Sequence, residues 1–369
     1  MKISGSAVSS FIKKDPVLVF SLVLAAMTLP LRKPEPEDFD FDVLILLFDL
    51  MIIIGAFSEL HVPDYLAVRL IRKCGNTRLL SAVLVMSVWF SSMFLTNDVA
   101  LMTFVPLTLI VSRKTDIDVL PVVVLQTLAA NIGSALMPMG SPHNLFLYLH
   151  YGLGFTEMVI LLAPFVCVSS VILFALLLKE PAGETKTTQE IPETGSTAII
   201  GVYGLLFAVT VLSVAHIVLP AVVFIITVVL TLLLKPGLFR KVNYSLLITF
   251  VCFFIFVANV SSLPDVRDSL SVLLDTPEET YIVAVIASQI ISNVPASILL
   301  SGFTPHAGAL INGANVGGMG TVIASMASVI TYKLYTAEFP GESVRFLKKF
   351  TIYNLIVLIP VSLIIYFTI

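Results

Sequence analysis

The sequence predicts an all-α polytopic membrane protein built as two inverted repeats, with about nine transmembrane helices, two opposed re-entrant hairpins and two broken helices. Three observations carry this. The 369 residues are 57% hydrophobic and only 12% charged, whereas a soluble domain has about 45–50% apolar and about 25% charged residues. Apolar runs of membrane-spanning length alternate with charged breaks. The same string of elements occurs twice, once in each half. So little charge cannot cover a water-facing surface, which excludes a soluble enzyme and a disordered scaffold. A net charge of −3 offers no basic field to nucleic acid. Cys74, Cys167 and Cys252 lie far apart without metal or redox spacing and read as small apolar fillers.

The first run, residues 16–31, is flanked by Lys13, Lys14, Arg32 and Lys33. A basic start before an apolar run also fits a secretory leader, but no small-x-small cleavage site follows. Residues 41–60 form the second span, and 64–73 (DYLAVRLIRK) an interfacial amphipathic helix. Runs 79–95 and 99–112 flank a polar tip at 96–98, Thr96-Asn97-Asp98. Residues 118–150 are apolar but interrupted by NIGSALMPMGSP, and 157–178 closes the first repeat, 1–178. Residues 179–196 are polar and rich in Pro, Gly and Thr, and read as a cytoplasmic linker. A connecting helix, 197–218, leads into the second repeat, 219–369. There 220–234 and 243–263 are spans and 264–275 is polar. Runs 281–291 and 295–303 flank the tip at 292–294, Ser292-Asn293-Val294. Residues 307–333 are broken by NGANVGGMG, and 350–369 form the last span.

The halves correspond residue by residue at the polar points. Thr96-Asn97-Asp98 answers Ser292-Asn293-Val294, and Ala130-Asn131-Ile132-Gly133 answers Ala314-Asn315-Val316-Gly317. Ser141 follows Asn131, and Ser325 follows Asn315, at the same interval of 10 residues. A polar tip facing lipid is costly, so the runs around each tip are read as arms of a hairpin that hides its tip in protein, rather than as full crossings. Each repeat then crosses four times, and the connecting helix turns the second repeat upside down. On this topology, of the 21 Lys and Arg only Arg32, Lys33 and Arg267 fall opposite the N-terminal side. That bias makes the N-terminus cytoplasmic and the C-terminus external, in the cell's inner (plasma) membrane.

The polar points carry the chemistry. A hairpin tip at mid-depth exposes the C-terminus of one half-helix and the N-terminus of the next. The free N–H groups suit an anion, and unwound carbonyls suit a cation such as Na⁺. Ser, Thr and Asn at the tips add neutral ligands, or merely cap the half-helices. The glycine- and proline-rich breaks free further backbone groups, or allow close packing through small residues. Asp98 is a Na⁺ ligand, a proton carrier or an N-cap, and Val294 holds its place in the other half. His143 is a second titratable candidate or a satisfied neutral histidine. Gln126 and Gln289 read as helix-to-helix glue. Asp49 is open between a structural pair and a relay, and Glu59 reaches water at the end of its span. No Lys or Arg is expected near the midplane, so an anionic cargo must rely on helix ends, amides and co-bound cations.

At LTNDVALMTFVPL, NIGSALMPMGSPHNLFL, SQIISNVPASILL and GANVGGMGTVIAS the chain resembles the ion transporter superfamily, which contains divalent-anion/sodium symporters, citrate transporters, arsenite permeases and Na⁺/H⁺ antiporters. The dicarboxylate branch carries Ser-Asn-Thr at both tips; here only the Asn is kept at both, and Asn-Asp with Asn-x-Pro is nearer the arsenite permeases. The resemblance implies that Asn97, Gly133, Asn293 and Gly317 help form two cation sites, and that Ser141, Pro142 and Asn144 stand near the substrate. It also implies a homodimer and elevator-like motion. The full candidate sets are Thr96, Asn97, Ser141, Pro142, Asn144, Ser292, Asn293 and Ser325 for the substrate, and Asn97, Asp98, Asn131, Gly133, Asn293, Asn315 and Gly317 for the coupling ion. The expectation is a secondary transporter of a small anion or oxyanion-like solute coupled to Na⁺ or H⁺, with no cofactor beyond the ion. Arsenite efflux, Na⁺/H⁺ exchange through Asp98 and a non-transporting membrane sensor are the alternatives; an enzyme is not expected, since no clustered nucleophile, base or metal set is visible, which leaves only a dispersed site.

Overall fold

The computed structural model describes residues 16–72, 74–114, 118–180 and 192–369. Lys13 and Lys14, and most of the linker 179–196, lie outside the described residues. The described chain forms 17 α-helices joined by short turns and 3-10 segments. In the first half these are α1 (Pro16–Thr28), α2 (Phe41–Glu59), α3 (Val62–Ile71), α4 (Thr77–Leu95), α5 (Asn97–Lys114), α6 (Leu120–Ser134), α7 (Pro142–His150) and α8 (Phe155–Leu177). After α9 (Thr197–Val214) the same order returns as α10 (Pro220–Leu234), α11 (Tyr244–Ser261), α12 (Pro264–Leu273), α13 (Pro277–Ile291), α14 (Asn293–Ser301), α15 (Ala307–Gly317), α16 (Met326–Glu338) and α17 (Ser343–Tyr366).

Local chemistry sets the boundaries. The side chains of Asp40, Asn76 and Asn243 accept the N–H groups of Val43 (3.1 Å), Leu79 (2.7 Å) and Leu246 (3.1 Å), capping α2, α4 and α11. Thr276 and Glu279 form a reciprocal capping box at the start of α13. α1 stops at Thr28, short of residue 31, because Pro30 has no N–H to continue the ladder. The polar stretch 264–275 is largely helical, the counterpart of α3. Six helices, α2, α4, α8, α9, α11 and α17, are long and apolar enough to cross a membrane. The arms of the first hairpin are 19 and 18 residues long, against 15 and 9 in the second. At about 1.5 Å per residue, α5 is about twice the length of α14, so the second tip lies nearer its own mouth than the first does.

Contacts between the halves come in reciprocal pairs. α1 packs on α11 as α10 packs on α2; α5 packs on α16 as α14 packs on α7; α6 packs on α17 as α15 packs on α8. Such exchange is the mark of a two-fold, self-complementary interface. The hairpins open toward opposite ends. Near the first mouth, Arg78 Nε donates to Glu180 O (2.8 Å), and Arg345 pairs with Asp118 (2.8 Å). At the second mouth, Thr280 and Thr304 share a hydroxyl hydrogen bond (3.0 Å), and His306 Nε2 meets Asp275 O (2.9 Å). α6 leaves the first mouth, and α7 ends beside the second, where the Tyr151 hydroxyl donates to Thr304 O (2.9 Å).

The hairpins, the broken helices, α8 and α17 share one continuous core, to which α2 and α11 also contribute residues such as Leu46 and Phe250. α1, α2, α9, α10 and α11 form a frame beside it, and α2, α9 and α10 enclose a second small cluster around Ile52, Ile53, Tyr203 and Val223. The frame's main helical seats on the core are α2 against α7 and α11 against α14. The reciprocal seats, α11 on α16 and α2 on α5, are not among its main contacts. The core therefore sits off-centre in its frame.

Candidate functional site

Each hairpin reverses at one residue. Thr96 holds φ 65° and ψ 152°, and Ser292 holds φ 75° and ψ 152°. This is a region that non-glycine residues occupy at a cost of about 1–3 kcal/mol. Both positions break their helix within a single peptide and act as the cap of the next one. Thr96 O accepts Ala100 N (3.1 Å), and Ser292 O accepts Ala296 N (3.0 Å). The breaks are matched as well. α6 stops at Ser134 and α15 at Gly317, and each chain resumes at an extended serine, Ser141 or Ser325. Pro142 takes the first turn of α7, where its missing N–H costs nothing.

Asparagines tie the tips and breaks together. Asn131 Oδ1 accepts Asn97 Nδ2 (3.3 Å) and the Ser325 hydroxyl (3.2 Å), while Asn131 Nδ2 donates to Gly318 O (3.2 Å). Asn144 and Asn315 exchange amide hydrogen bonds at 3.2 and 2.8 Å, and Asn144 reaches Ser134 O at 3.5 Å. Ser292 Oγ donates to Ala324 O (3.4 Å). Asn293 Nδ2 lies close against Gly318. His143 is buried beside Asn315. Asn97, Asn131, Asn144, Ser292, Asn293, Asn315 and Ser325 thus come to one junction of helix ends; Ser141 is buried with no side-chain hydrogen bond to it, and Thr96 and Asp98 are only half-buried.

The glycines of the breaks are docking notches. A Cβ on Gly133 would stand 2.0 Å from Trp89 O and 2.6 Å from Ser92 Oγ of α4. A Cβ on Gly317 would stand 2.7 Å from Ser288 Cβ and 3.0 Å from Val285 Cα of α13. Trp89 and Ser92 precede Thr96 at the same intervals as Val285 and Ser288 precede Ser292, so the two notches are one design used twice. Gln126 bridges helices, its Oε1 accepting from the Thr108 hydroxyl (3.0 Å) across the kink-prone Pro106 of α5.

Several buried polar atoms at the junction are unpartnered: Asp98 Oδ1, Ser141 Oγ, His143 Nε2 and Ser328 Oγ. Such atoms can receive a solute, an ion or water, as can others elsewhere in the chain, among them Tyr148 Oη, Ser169 Oγ and Asn312 Oδ1. No described Lys or Arg is buried, and no three His, Cys, Asp or Glu among the described residues come together as a metal site. A cavity of about 560 Å³ opens along α7 and α14, lined by Phe146, His150, Ile298 and Ser301 and rimmed by Glu37, Asp38, Asp40 and Asp42. Sequence reasoning missed Ser328, Gly318 and Asn354; the last accepts Gly320 N–H from α17 (3.2 Å). The equivalence of Ser328 with Asn144 by repeat alignment was the available signal.

A model of the citrate transporter family matches residues 10–312. The chain belongs to the citrate transporter family. As a member it is a multi-pass membrane transporter, not an enzyme. It is 32% identical to an uncharacterized transporter of Methanocaldococcus jannaschii over 78% of this chain and 79% of that one. It is 30% identical to the inner membrane protein YbiR of Escherichia coli over 73% of each chain. A 46 kDa membrane protein of Mycobacterium leprae is 29% identical over 37% of this chain and 32% of its own.

Asp49 is not part of the transporter's junction. It lies in α2 of the frame, wholly buried, and apart from the Thr227 side chain close by its carboxyl group meets no described hydrogen-bond donor. Glu59, at the end of the same helix, is instead paired with Lys235 (2.7 Å) and Lys241 (3.0 Å). Asp49→Leu is expected to stabilise the protein by about 1–3 kcal/mol, because it removes an unsatisfied buried group and keeps an apolar filling. Thermal unfolding in detergent checks this; a lowered midpoint would show that Asp49 is paired in the native protein.

Proposed function

We propose that this transporter moves a small anionic or oxyanion-like solute, of di- or tricarboxylate type, coupled to Na⁺ or H⁺. The observation that carries the reading is the junction itself. Helix N-termini and asparagine amides converge there beside unpartnered Ser141, His143 and Asp98 atoms, with no buried described Lys or Arg. N-terminal N–H groups and amides suit a carboxylate or oxyanion, and the Asp98 oxygen with nearby carbonyls suits a cation. Nine crossings, with both hairpins hiding their tips and the two repeats inverted, fit the opposed mouths. A cytoplasmic N-terminus and external C-terminus follow from the Lys and Arg bias. They are supported by ion pairs such as Arg345–Asp118 and Glu59–Lys235, which join residues assigned to one side. The off-centre seating of the core supports an elevator-like movement against the frame, with a homodimer holding the frame still.

Reconstitution tests the reading. Uptake of labelled citrate or succinate into proteoliposomes is expected under an imposed Na⁺ or proton gradient. Asn97→Ala and Asn293→Ala each lower it by at least about tenfold, since each removes an amide from a junction that has no cationic side chain to replace it. Asp98→Asn is expected to keep solute binding and lose the dependence on the coupling ion. Unchanged flux in both asparagine variants would remove the junction from the transport path. The unpartnered Asp98 oxygen also supports a second reading, Na⁺/H⁺ exchange. Proton release on adding Na⁺ without any solute, lost in Asp98→Asn, would favour it, and arsenite efflux in the same vesicles would move the substrate to the third branch.

A further inference from the structure

The two breaks are built alike but finished differently. In the second, Gln289 of α13 reaches into the gap between α15 and α16. Its Nε2 donates to Gly317 O (2.6 Å) and Met319 O (2.9 Å), and its Oε1 accepts Thr321 N–H (2.9 Å). The Thr321 hydroxyl donates to the backbone oxygen of Gln289 (3.1 Å). Gly320 is shaped around this side chain: it holds φ +125°, and a Cβ there would stand 2.2 Å from Gln289 Oε1. The carbonyls of an unwound helix are the groups that otherwise coordinate a cation. Here an amide NH₂, with its partial positive charge and two hydrogens, faces them instead.

The first break is finished more weakly: the amide that reaches its freed backbone is Asn144 Nδ2, on Ser134 O at 3.5 Å. Gln289 stands three residues before the tip residue Ser292; the residue three before Thr96 is Met93, whose thioether has no hydrogen to donate. Charge follows the same asymmetry, with Asp98 beside the first tip and Val294 at the matching place in the second. Of the unpartnered atoms at the junction, those of Asp98, Ser141 and His143 belong to the first half, and that of Ser328 to the second.

We propose that Gln289 is a built-in substitute for a cation. It closes the second break to ions, so that the coupling cation is held at the first break alone, together with Asp98. The proposal rests on the cation-coupled reading above, but its test separates the two.

Radioactive sodium binding to the purified full chain is the measurement, with thermal unfolding in sodium against choline chloride as a second readout. The wild type is expected to bind about one ion per chain, and Asp98→Asn to lose it. Gln289→Glu keeps the shape but has no hydrogens to offer the Gly317 and Met319 oxygens, so it is expected to gain about one further ion and a larger sodium-dependent rise in unfolding temperature. Gln289→Met, which copies Met93, guards against a misfolded glutamate variant and is expected to gain the same ion. Two ions on the wild type, or no gain in either folded Gln289 variant, would overturn the proposal. No sodium on the wild type but a gain in the variants would uphold Gln289 as the plug and overturn Na⁺ as the coupling ion.

Discussion

Gly133→Ala is expected to unseat the first hairpin and reduce transport to background. The added methyl would lie 2.0 Å from Trp89 O and 2.8 Å from Trp89 C. These are backbone atoms inside α4, so no rotamer change relieves the clash, and α4 must move by on the order of 1 Å to restore van der Waals contact. Overpacking of this kind costs about 1–3 kcal/mol or more. It also breaks the geometry around Trp89, whose Nε1 donates to Ser170 Oγ at 3.2 Å and ties α4 to α8. The control is Gly204→Ala on α9, where nothing lies within contact distance of the new methyl. There alanine favours the helix by up to about 1 kcal/mol. Thermal unfolding and flux measured side by side check both. A Gly133→Ala protein with native stability and flux would refute the notch.

Asn131→Ala carries the second large effect. Its amide oxygen accepts the Ser325 hydroxyl and the Asn97 amide, and its amide nitrogen links the first tip to the second break through Gly318 O. Removing it leaves the Asn97 amide, the Ser325 hydroxyl and the Gly318 carbonyl short of a partner, each at about 1–3 kcal/mol. Because the halves are joined at this point, the loss falls on the junction rather than on one helix, and transport is expected to fall by about 100-fold or more. Asn131→Asp keeps the acceptor and loses the donor, and should be intermediate. Flux in proteoliposomes, with gel filtration to confirm a folded sample, reads the result; near-native flux in Asn131→Ala would mean the amide is only packing.

Much of this architecture is legible in the residues. Composition alone requires a membrane protein, and the polar tips and glycine-rich breaks mark where helices end, because those residues either free backbone groups or cannot continue a helix. Asn97, Asn131, Ser141 and their counterparts could be chosen because they recur in the same order in both halves, Asn131–Ser141 and Asn315–Ser325 at the same interval of 10 residues. The length of the first hairpin's arms was less legible: Thr77, Arg78, Arg113 and Lys114 are polar enough to read as loop, yet they continue the helices. The reach of Gln289 was illegible for a different reason. Its direction depends on the rotation of α13 and on the bare Cα of Gly320, and neither is written at position 289. In the sequence Asp49 stays open between a structural pair and a relay, because an acidic residue in an apolar run does not show which way its helix turns it; here it lies among the frame helices.

The lopsided seating of the core has an energetic consequence. On the elevator-like reading proposed above, surfaces that swap roles under a two-fold rotation would offer a second pose in which α2 rests on α5 and α11 on α16. The two poses would not be equal, because the halves differ in hairpin length and at positions such as Asp98 against Val294 and Gln289 against Met93. A cargo that prefers one pose by a few kcal/mol would then shift the balance between them. The unlike halves, rather than the shared plan, would set which side the transporter faces when idle.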